Sequence, residues 1–198
     1  MARTLLSRFA GIIALILVSA SPAASATPDD FVRKISDKAF TSLGAADLSD
    51  ADRVERFRVL LDEAFDLKRI GRFVLGVHWR RASDEQKTEF LSLFEKFIVQ
   101  AYANRFRDLT DKKLVVMQAR ELTDKESLVI SQIEIPGQQP VNVNWKVADM
   151  QGTFKIVDVT VEGVSMSVTQ RDEFAAVIRQ NGGQIDGLLN ALRRKTAQ

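Results

Sequence analysis

Residues 141–168 read VNVNWKVADMQGTFKIVDVTVEGVSMSV, and this stretch decides the fold class. Apolar and polar residues alternate strictly over 141–147, which is typical of a strand buried on one face. Residues 150–152 then supply a turn, and the apolar parity of the following run slips twice. Because a slip of one residue moves every later side chain to the opposite face, the pattern predicts β-bulges near 156–157 and at Gly163. Bulges bend strands, so we expect a curved antiparallel sheet.

Helical patterns flank these strands on both sides. Residues 27–107 show apolar side chains at helical spacing, and residues 83–86 form a capping box, Ser with Gln three positions later. A closing helix is expected to open at 169–172, and a short amphipathic helix covers 185–192. Two more β-rich runs precede the deciding stretch, 114–117 and 128–135. The order predicts an α+β fold, with N-terminal helices on a curved antiparallel β-sheet and closing C-terminal helices, enclosing an apolar cavity.

The first 26 residues have the pattern of a secretory signal peptide. Arg3 and Arg8 form a basic start, an apolar run covers 9–20, and residues 24–26, Ala-Ser-Ala, fit the cleavage site. The run is too short to cross a bilayer comfortably, and an uncleaved membrane anchor is the alternative. We therefore expect an exported, soluble protein in which residues 27–198 form a single domain.

Charge excludes one class of partner. The chain of 198 residues carries 28 basic and 26 acidic side chains, but two of the arginines and no acid fall in the predicted signal peptide. Residues 27–198 are therefore neutral overall, with 26 charges of each sign. Binding to nucleic acid needs a basic excess that neutralises phosphates, so we expect no nucleic-acid partner.

Groups that commonly perform catalysis are scarce. The sequence has no cysteine, which excludes disulfides and thiolate metal sites, and a single histidine, His78, which excludes sites needing two imidazoles. We expect His78 to pack partly buried beside Trp79 instead of acting as a base. Asp158 and Glu162 occupy polar positions of their strand and are expected to face solvent. The sequence therefore predicts no catalytic residue, no metal site, no cofactor and no enzymatic activity.

Two stretches, residues 74–106 and 154–193, contain recognisable sequence motifs. The first shows the pattern LG-x-x-W, two basic residues, A-[ST]-x-x-Q and a helix ending in Tyr-Ala, here Leu75-Gly76, Trp79-Arg80-Arg81, Ala82-Ser83, Gln86, Phe90, Phe94 and Tyr102-Ala103. The second shows V-D-V, E-G-V-S and R-x-x-F, here Val157-Asp158-Val159, Glu162-Gly163-Val164-Ser165, Arg171 and Phe174. Together these motifs resemble the periplasmic phospholipid-carrier family of the Mla system, also called the toluene-tolerance type. The chain departs from that family at Phe154, where Trp is common, and at Trp145, where Tyr is common.

The resemblance implies a shuttle that carries phospholipid between an inner-membrane ABC transporter with MCE domains and an outer-membrane lipoprotein and porin complex. Such a shuttle maintains the lipid asymmetry of the outer membrane, needs no cofactor and is expected to be a monomer. Thr169-Gln170 is a variant associated with alphaproteobacterial members, which include carriers linked to hopanoids, so a hopanoid or another apolar lipid is the alternative cargo. A small-molecule hydrolase on the same scaffold and a structural adaptor are the other function classes left open.

We expect the lipid tails to contact apolar side chains of both the sheet and the helices. On the sheet, the strands around the two expected bulges are the main candidates. The predicted lipid-binding residues are Phe57, Leu61, Phe73, Val74, Phe94, Ile98, Tyr102, Val116, Val143, Trp145, Val159, Val161, Val164 and Met166.

Overall fold

The computed structural model describes residues 27–45, 47–109 and 112–197, so the predicted signal peptide lies outside the described residues. The α-helices are α1 (Pro28–Leu43), α2 (Asp50–Ala64), α3 (Leu67–Leu75), α4 (Asp84–Tyr102), α5 (Met166–Gln180) and α6 (Ile185–Thr196). Short 3₁₀ helices cover Gly76–Arg80 and Ala103–Leu109. The strands are β1 (Lys113–Thr123), β2 (Glu126–Glu134), β3 (Val141–Met150), β4 (Thr153–Val161) and β5 (Val164–Ser165).

Side-chain caps fix where the helices begin. The hydroxyl of Thr27 accepts a hydrogen bond from the Asp30 backbone N–H, and Ser49 caps α2 in the same way. The predicted capping box at Ser83 and Gln86 is confirmed, since each side chain accepts from the other residue's backbone N–H. These contacts satisfy N–H groups that have no partner within the helix, which is why polar residues mark the helix starts in the sequence.

The strands form one antiparallel sheet in the order β1-β2-β3-β4-β5. The predicted bulge near 156–157 is confirmed, because Lys146 pairs with Asp158 while the next residue, Val147, pairs with Ile156. Val157 is therefore the extra residue of the bulge. A second register shift in β1 leaves Met117 unpaired. The expectation of an α+β fold with an antiparallel sheet is thus confirmed.

The predicted bulge at Gly163 is wrong. Glu162 and Gly163 have φ angles of 48° and 82°, and they form a two-residue hairpin turn between β4 and β5. Both positions of such a turn require positive φ, which glycine adopts without steric cost. The closing helix also begins earlier than predicted, at Met166, because Ser165 caps it by accepting from the Val168 N–H at 3.1 Å. The apparent strand alternation over 164–168 is the two-residue strand β5 followed by the first turn of α5.

Apolar side chains collect in two places. We call the first the helical core; it lies among α3, α4, α5 and α6 and contains Val74, Leu75, Phe90, Phe94, Phe174, Ile178, Leu188 and Leu189. We call the second the sheet layer; it lies between one face of the sheet and α1, α2 and the end of α4, and contains Val32, Ile35, Phe57, Leu61, Val99, Val116, Val129, Val147 and Ile156. Within the described ranges, no helix is long and apolar enough to cross a membrane.

Candidate functional site

Paired residues of β2, β3 and β4 form an apolar surface on the inner face of the sheet, which we call the floor of the sheet layer. Val129 of β2 pairs with Trp145 of β3, and Trp145 pairs with Val159 of β4. Since directly paired residues of antiparallel strands point to the same side, these three form one apolar row across the sheet. The next row, two residues along β3, joins Val143 to Val161 and to a serine of β2. The middle of the sheet thus presents a continuous apolar surface.

That serine, Ser131, is fully buried and fixes the orientation of the indole in the floor. Its hydroxyl donates to the Val143 carbonyl oxygen at 2.5 Å and accepts from the Trp145 Nε1–H at 2.9 Å. All of these polar groups are therefore satisfied inside an apolar layer, where an unpaired group would cost about 1–3 kcal/mol. Sequence reasoning missed Ser131, because only the register of two strands brings it next to Trp145.

Helices cover the floor from its two sides. The backbone of α1 approaches β1 and β2, and that of α2 approaches β4, while the middle strand β3 is less closely approached by any helix in the described part of the chain. Phe57 of α2 is buried, and its ring lies 5.2 Å from that of Phe106. Ile98 and Tyr102, at the end of α4, stay half-buried against the same layer. We call the apolar region above β3, between these helices, the trough.

The structure brings nine of the fourteen predicted lipid-binding residues to this trough or its floor. They are Phe57, Leu61, Ile98, Tyr102, Val116, Val143, Trp145, Val159 and Val161. Four further residues that were not predicted also lie in this layer: Phe31, Phe154, Val129 and Ile156. The ring centroids of Phe31 and Phe154 are 6.0 Å apart. Phe31 was identifiable from the start of an apolar helix stripe, but the stripe does not tell which layer it joins.

The other five predicted residues lie elsewhere. Val74 and Phe94 are buried in the helical core, where α3 and α4 meet α5 and α6. Phe73 is 42% exposed on the outer side of α3. Val164, beyond the hairpin turn, is exposed, and Met166 begins α5. The geometric premise that Gly163 brings these last two onto the inner face is wrong, because the chain turns back there instead of bulging.

The two acidic residues of β4 and of the turn that follows it lie outside the trough. The expectation that Asp158 faces solvent is wrong: it is half-buried, accepts from the Ser165 hydroxyl at 2.6 Å, and accepts from the Ser167 N–H and hydroxyl at 3.1 and 2.5 Å. It thereby ties the start of α5 to β4. Glu162 is exposed, as expected. In the described ranges no three histidine or acidic side chains cluster as a metal site would need.

One carboxylate connects the sheet to the helical core. The hydrogen bond from Lys146, at 2.7 Å, together with the charge of Arg69 on α3, lowers the pKa of Glu126 from its ordinary value. Burial of the carboxylate opposes this effect but is outweighed. Glu126 is therefore ionised at neutral pH and joins α3 to strands β2 and β3.

Comparison with known proteins supports the resemblance seen in the sequence. The family model "MlaC protein" matches residues 33–194. The chain belongs to the MlaC family. A relative described as the intermembrane phospholipid transport system binding protein MlaC of Haemophilus influenzae is 22% identical over 195 residues, covering 94% of this chain and 90% of its own. The toluene tolerance protein ttg2D of Pseudomonas putida is 22% identical over 192 residues, covering 93% and 89%.

MlaC-family membership is consistent with the known structures. The phospholipid-binding protein from Ralstonia solanacearum, solved in complex with a phospholipid, superimposes with a TM-score of 0.76 at 24% identity. The match covers 87% of this chain and 98% of that chain, so it extends over the helices and the sheet together. At this identity the likeness shows that the present chain shares the fold of that protein.

Proposed function

We propose that this MlaC-family protein is a periplasmic phospholipid carrier, and that the acyl tails lie in the trough above β3. The observation that supports this most directly is incomplete burial. Trp145, Tyr102 and Val159 pack against the layer but remain half-buried, although Val143 and Leu61 of the same layer are only 3% exposed. Half-buried side chains among buried apolar ones are suited to contact with a second apolar component.

The chemistry of the floor fits an acyl chain. The four inward positions of β3 are Val141, Val143, Trp145 and Val147, and none carries a charge. A lipid with about 30 methylenes would lose roughly 24 kcal/mol of stabilisation on exposure of its tails to water, at about 0.8 kcal/mol per CH₂. Spontaneous escape is therefore negligible, and a carrier has to cover most of the tail surface.

The description of one relative supports a wider role in lipid transport. The Haemophilus influenzae relative is described as the binding protein of an intermembrane phospholipid transport system. We therefore infer that the present protein shuttles phospholipid between an inner-membrane ABC transporter with MCE domains and an outer-membrane lipoprotein and porin complex. It acts as a monomer without cofactor or catalysis. A passive binder only equilibrates its ligand between sites, so the direction of transport is set by those partners.

The test compares two valine-to-tryptophan variants. Val143→Trp adds volume on the inner face, and Val115→Trp adds the same volume on the opposite face of β1, where Val115 pairs with Gln132. Each protein is purified from the periplasm, its bound lipid is identified and counted by native mass spectrometry, and its melting temperature is measured after delipidation. We expect phospholipid on the wild type and on Val115→Trp, and a clear loss on Val143→Trp.

Stability separates the possible explanations. Filling an open trough is expected to leave the delipidated protein within about 1 kcal/mol of wild type, whereas overpacking a closed core costs about 1–3 kcal/mol. Lost stability with unchanged lipid would place Val143 in solid core and contradict the proposed site. Wild-type protein without any lipid would contradict the carrier function, and a hopanoid in place of phospholipid would change the cargo while keeping the site.

A further inference from the structure

A second surface differs from the apolar trough because it carries several positive charges. Between Asp66 and Asp84 the sequence has five lysines and arginines and no acidic residue, in a chain whose residues 27–198 are neutral. This segment forms α3 and the following 3₁₀ helix. Arg171 of α5, nearly a hundred residues later, joins the same surface. We call the surface formed by Arg72, Phe73, Val77, Arg80 and Arg171 the basic face.

The basic face is an open depression of about 490 Å³. Two apolar side chains are exposed in it, Phe73 at 42% and Val77 at 53%. The Arg171 guanidinium carbon lies 5.2 Å from the centroid of the Phe73 ring, a cation–π arrangement. Gly76 permits this approach, because it has a φ of +58° and an added Cβ would lie 3.1 Å from Arg171 Nε. The depression is therefore built from two distant parts of the chain.

The arginines of the basic face are available for an external anion. Arg69, at its edge, is paired with Glu126, but Arg72, Arg80 and Arg171 form no ion pair within the described residues. The acids that follow Arg171 on α5 are Asp172 and Glu173, and Glu173 instead accepts a hydrogen bond from the Gln170 side chain at 3.1 Å. Positive charge without an internal counter-ion is costly to concentrate, which suggests a partner that supplies anions.

We propose that the basic face docks this protein on a membrane surface rich in anionic phospholipid. Arginine binds phosphate through two parallel hydrogen bonds, and Phe73 and Val77 sit between the arginines, where they can enter the acyl boundary. Basic side chains around exposed apolar side chains are typical of protein segments that bind at the membrane–water interface. This inference goes beyond the proposed function. It rests on that function only to explain why docking would be useful, since a lipid carrier has to contact a bilayer or a partner in it.

Vesicle flotation tests the proposal with the delipidated full-length mature protein. The probes are vesicles of phosphatidylcholine alone and of phosphatidylcholine mixed with phosphatidylglycerol. We expect the wild type to float only with the anionic vesicles, and less as salt is raised. Arg72→Glu should weaken this binding at least tenfold, because each basic side chain near such a surface strengthens binding roughly fivefold and the variant changes two charges. Arg194→Glu, on α6, makes the same charge change elsewhere and should bind as the wild type does.

A second measurement reports the docked orientation. The chain has only two tryptophans, and Trp79 lines the basic face while Trp145 lies in the sheet layer. In a Trp145→Phe background, anionic vesicles should shift the emission of Trp79 to shorter wavelength, and phosphatidylcholine vesicles should not. Bound lipid is counted separately by mass spectrometry. If the Arg72→Glu variant keeps its lipid but no longer binds vesicles, vesicle docking and lipid binding are separate properties of the protein.

Several outcomes would overturn the proposal. The wild type could ignore anionic vesicles, bind both vesicle types equally, or lose binding as strongly with Arg194→Glu as with Arg72→Glu. A wild type that ignores vesicles but is retained by immobilised polyglutamate, in a manner that depends on Arg72, would show instead that the occupant is an acidic protein.

Discussion

Phe94→Leu should lower the stability of the protein without reducing its lipid content. Phe94 is 2% exposed in the helical core, with its ring stacked 5.6 Å from Phe90 and edge-on at 6.1 Å from Phe174. Each aromatic pair contributes about 0.5–1.5 kcal/mol beyond its burial, so losing both costs about 1–3 kcal/mol. For a domain of this size, about 2 kcal/mol lowers the melting temperature by about 4–8 °C.

The assay pairs calorimetry of the delipidated protein with lipid counted per protein. Delipidation matters because a bound ligand stabilises the folded state and would hide part of the loss. Phe97→Leu is the matched control: Phe97 is half-buried and its ring is tilted at 5.8 Å from Phe174, so a smaller loss is expected. If Phe94→Leu lost lipid while its melting temperature stayed within about 1 °C of wild type, the ring would face the ligand, and the division into two apolar layers would be refuted.

Two further perturbations probe the sheet. Glu126→Gln should reduce stability by at most about 1 kcal/mol at neutral pH, since its partners are substantially exposed. The folded-state pKa of Glu126 is lowered, so its contribution is complete above the unfolded value of about 4.3 and is lost as pH falls through the folded value. Urea titrations should therefore converge for the two proteins in acid, and a constant difference at all pH values would contradict the ion-pair explanation. Gly163→Ala should cost about 1 kcal/mol in thermal unfolding, because its φ of 82° strains a side chain although the space around it is open. An unchanged melting temperature would mean that the hairpin turn relaxes without cost.

Features that depend on neighbours along the chain can be predicted from the sequence. The capping box at Ser83, the alternation of β3 and the bulge at Val157 are all visible, because caps, pleats and parity slips involve residues a few positions apart. The same local patterns give the α+β class, and the motif residues identify the family. The prediction of a bulged strand was wrong at residues 163–168. A tight turn and the capped start of a helix there show the same alternation of apolar and polar residues as a strand.

Which apolar side chains share a layer depends on how distant elements pack, and the sequence does not show this. Phe94 and Ile98 lie one turn apart on α4 and have the same helical pattern, yet Phe94 is enclosed by α5 and α6 whereas Ile98 also reaches the sheet layer. A periodicity shows that a side chain is covered, but what covers it depends on elements distant in sequence. For the same reason Ser131 beneath Trp145, and Arg171 beside Phe73, could not be found from spacing, since these pairs exist only once strands and helices have packed.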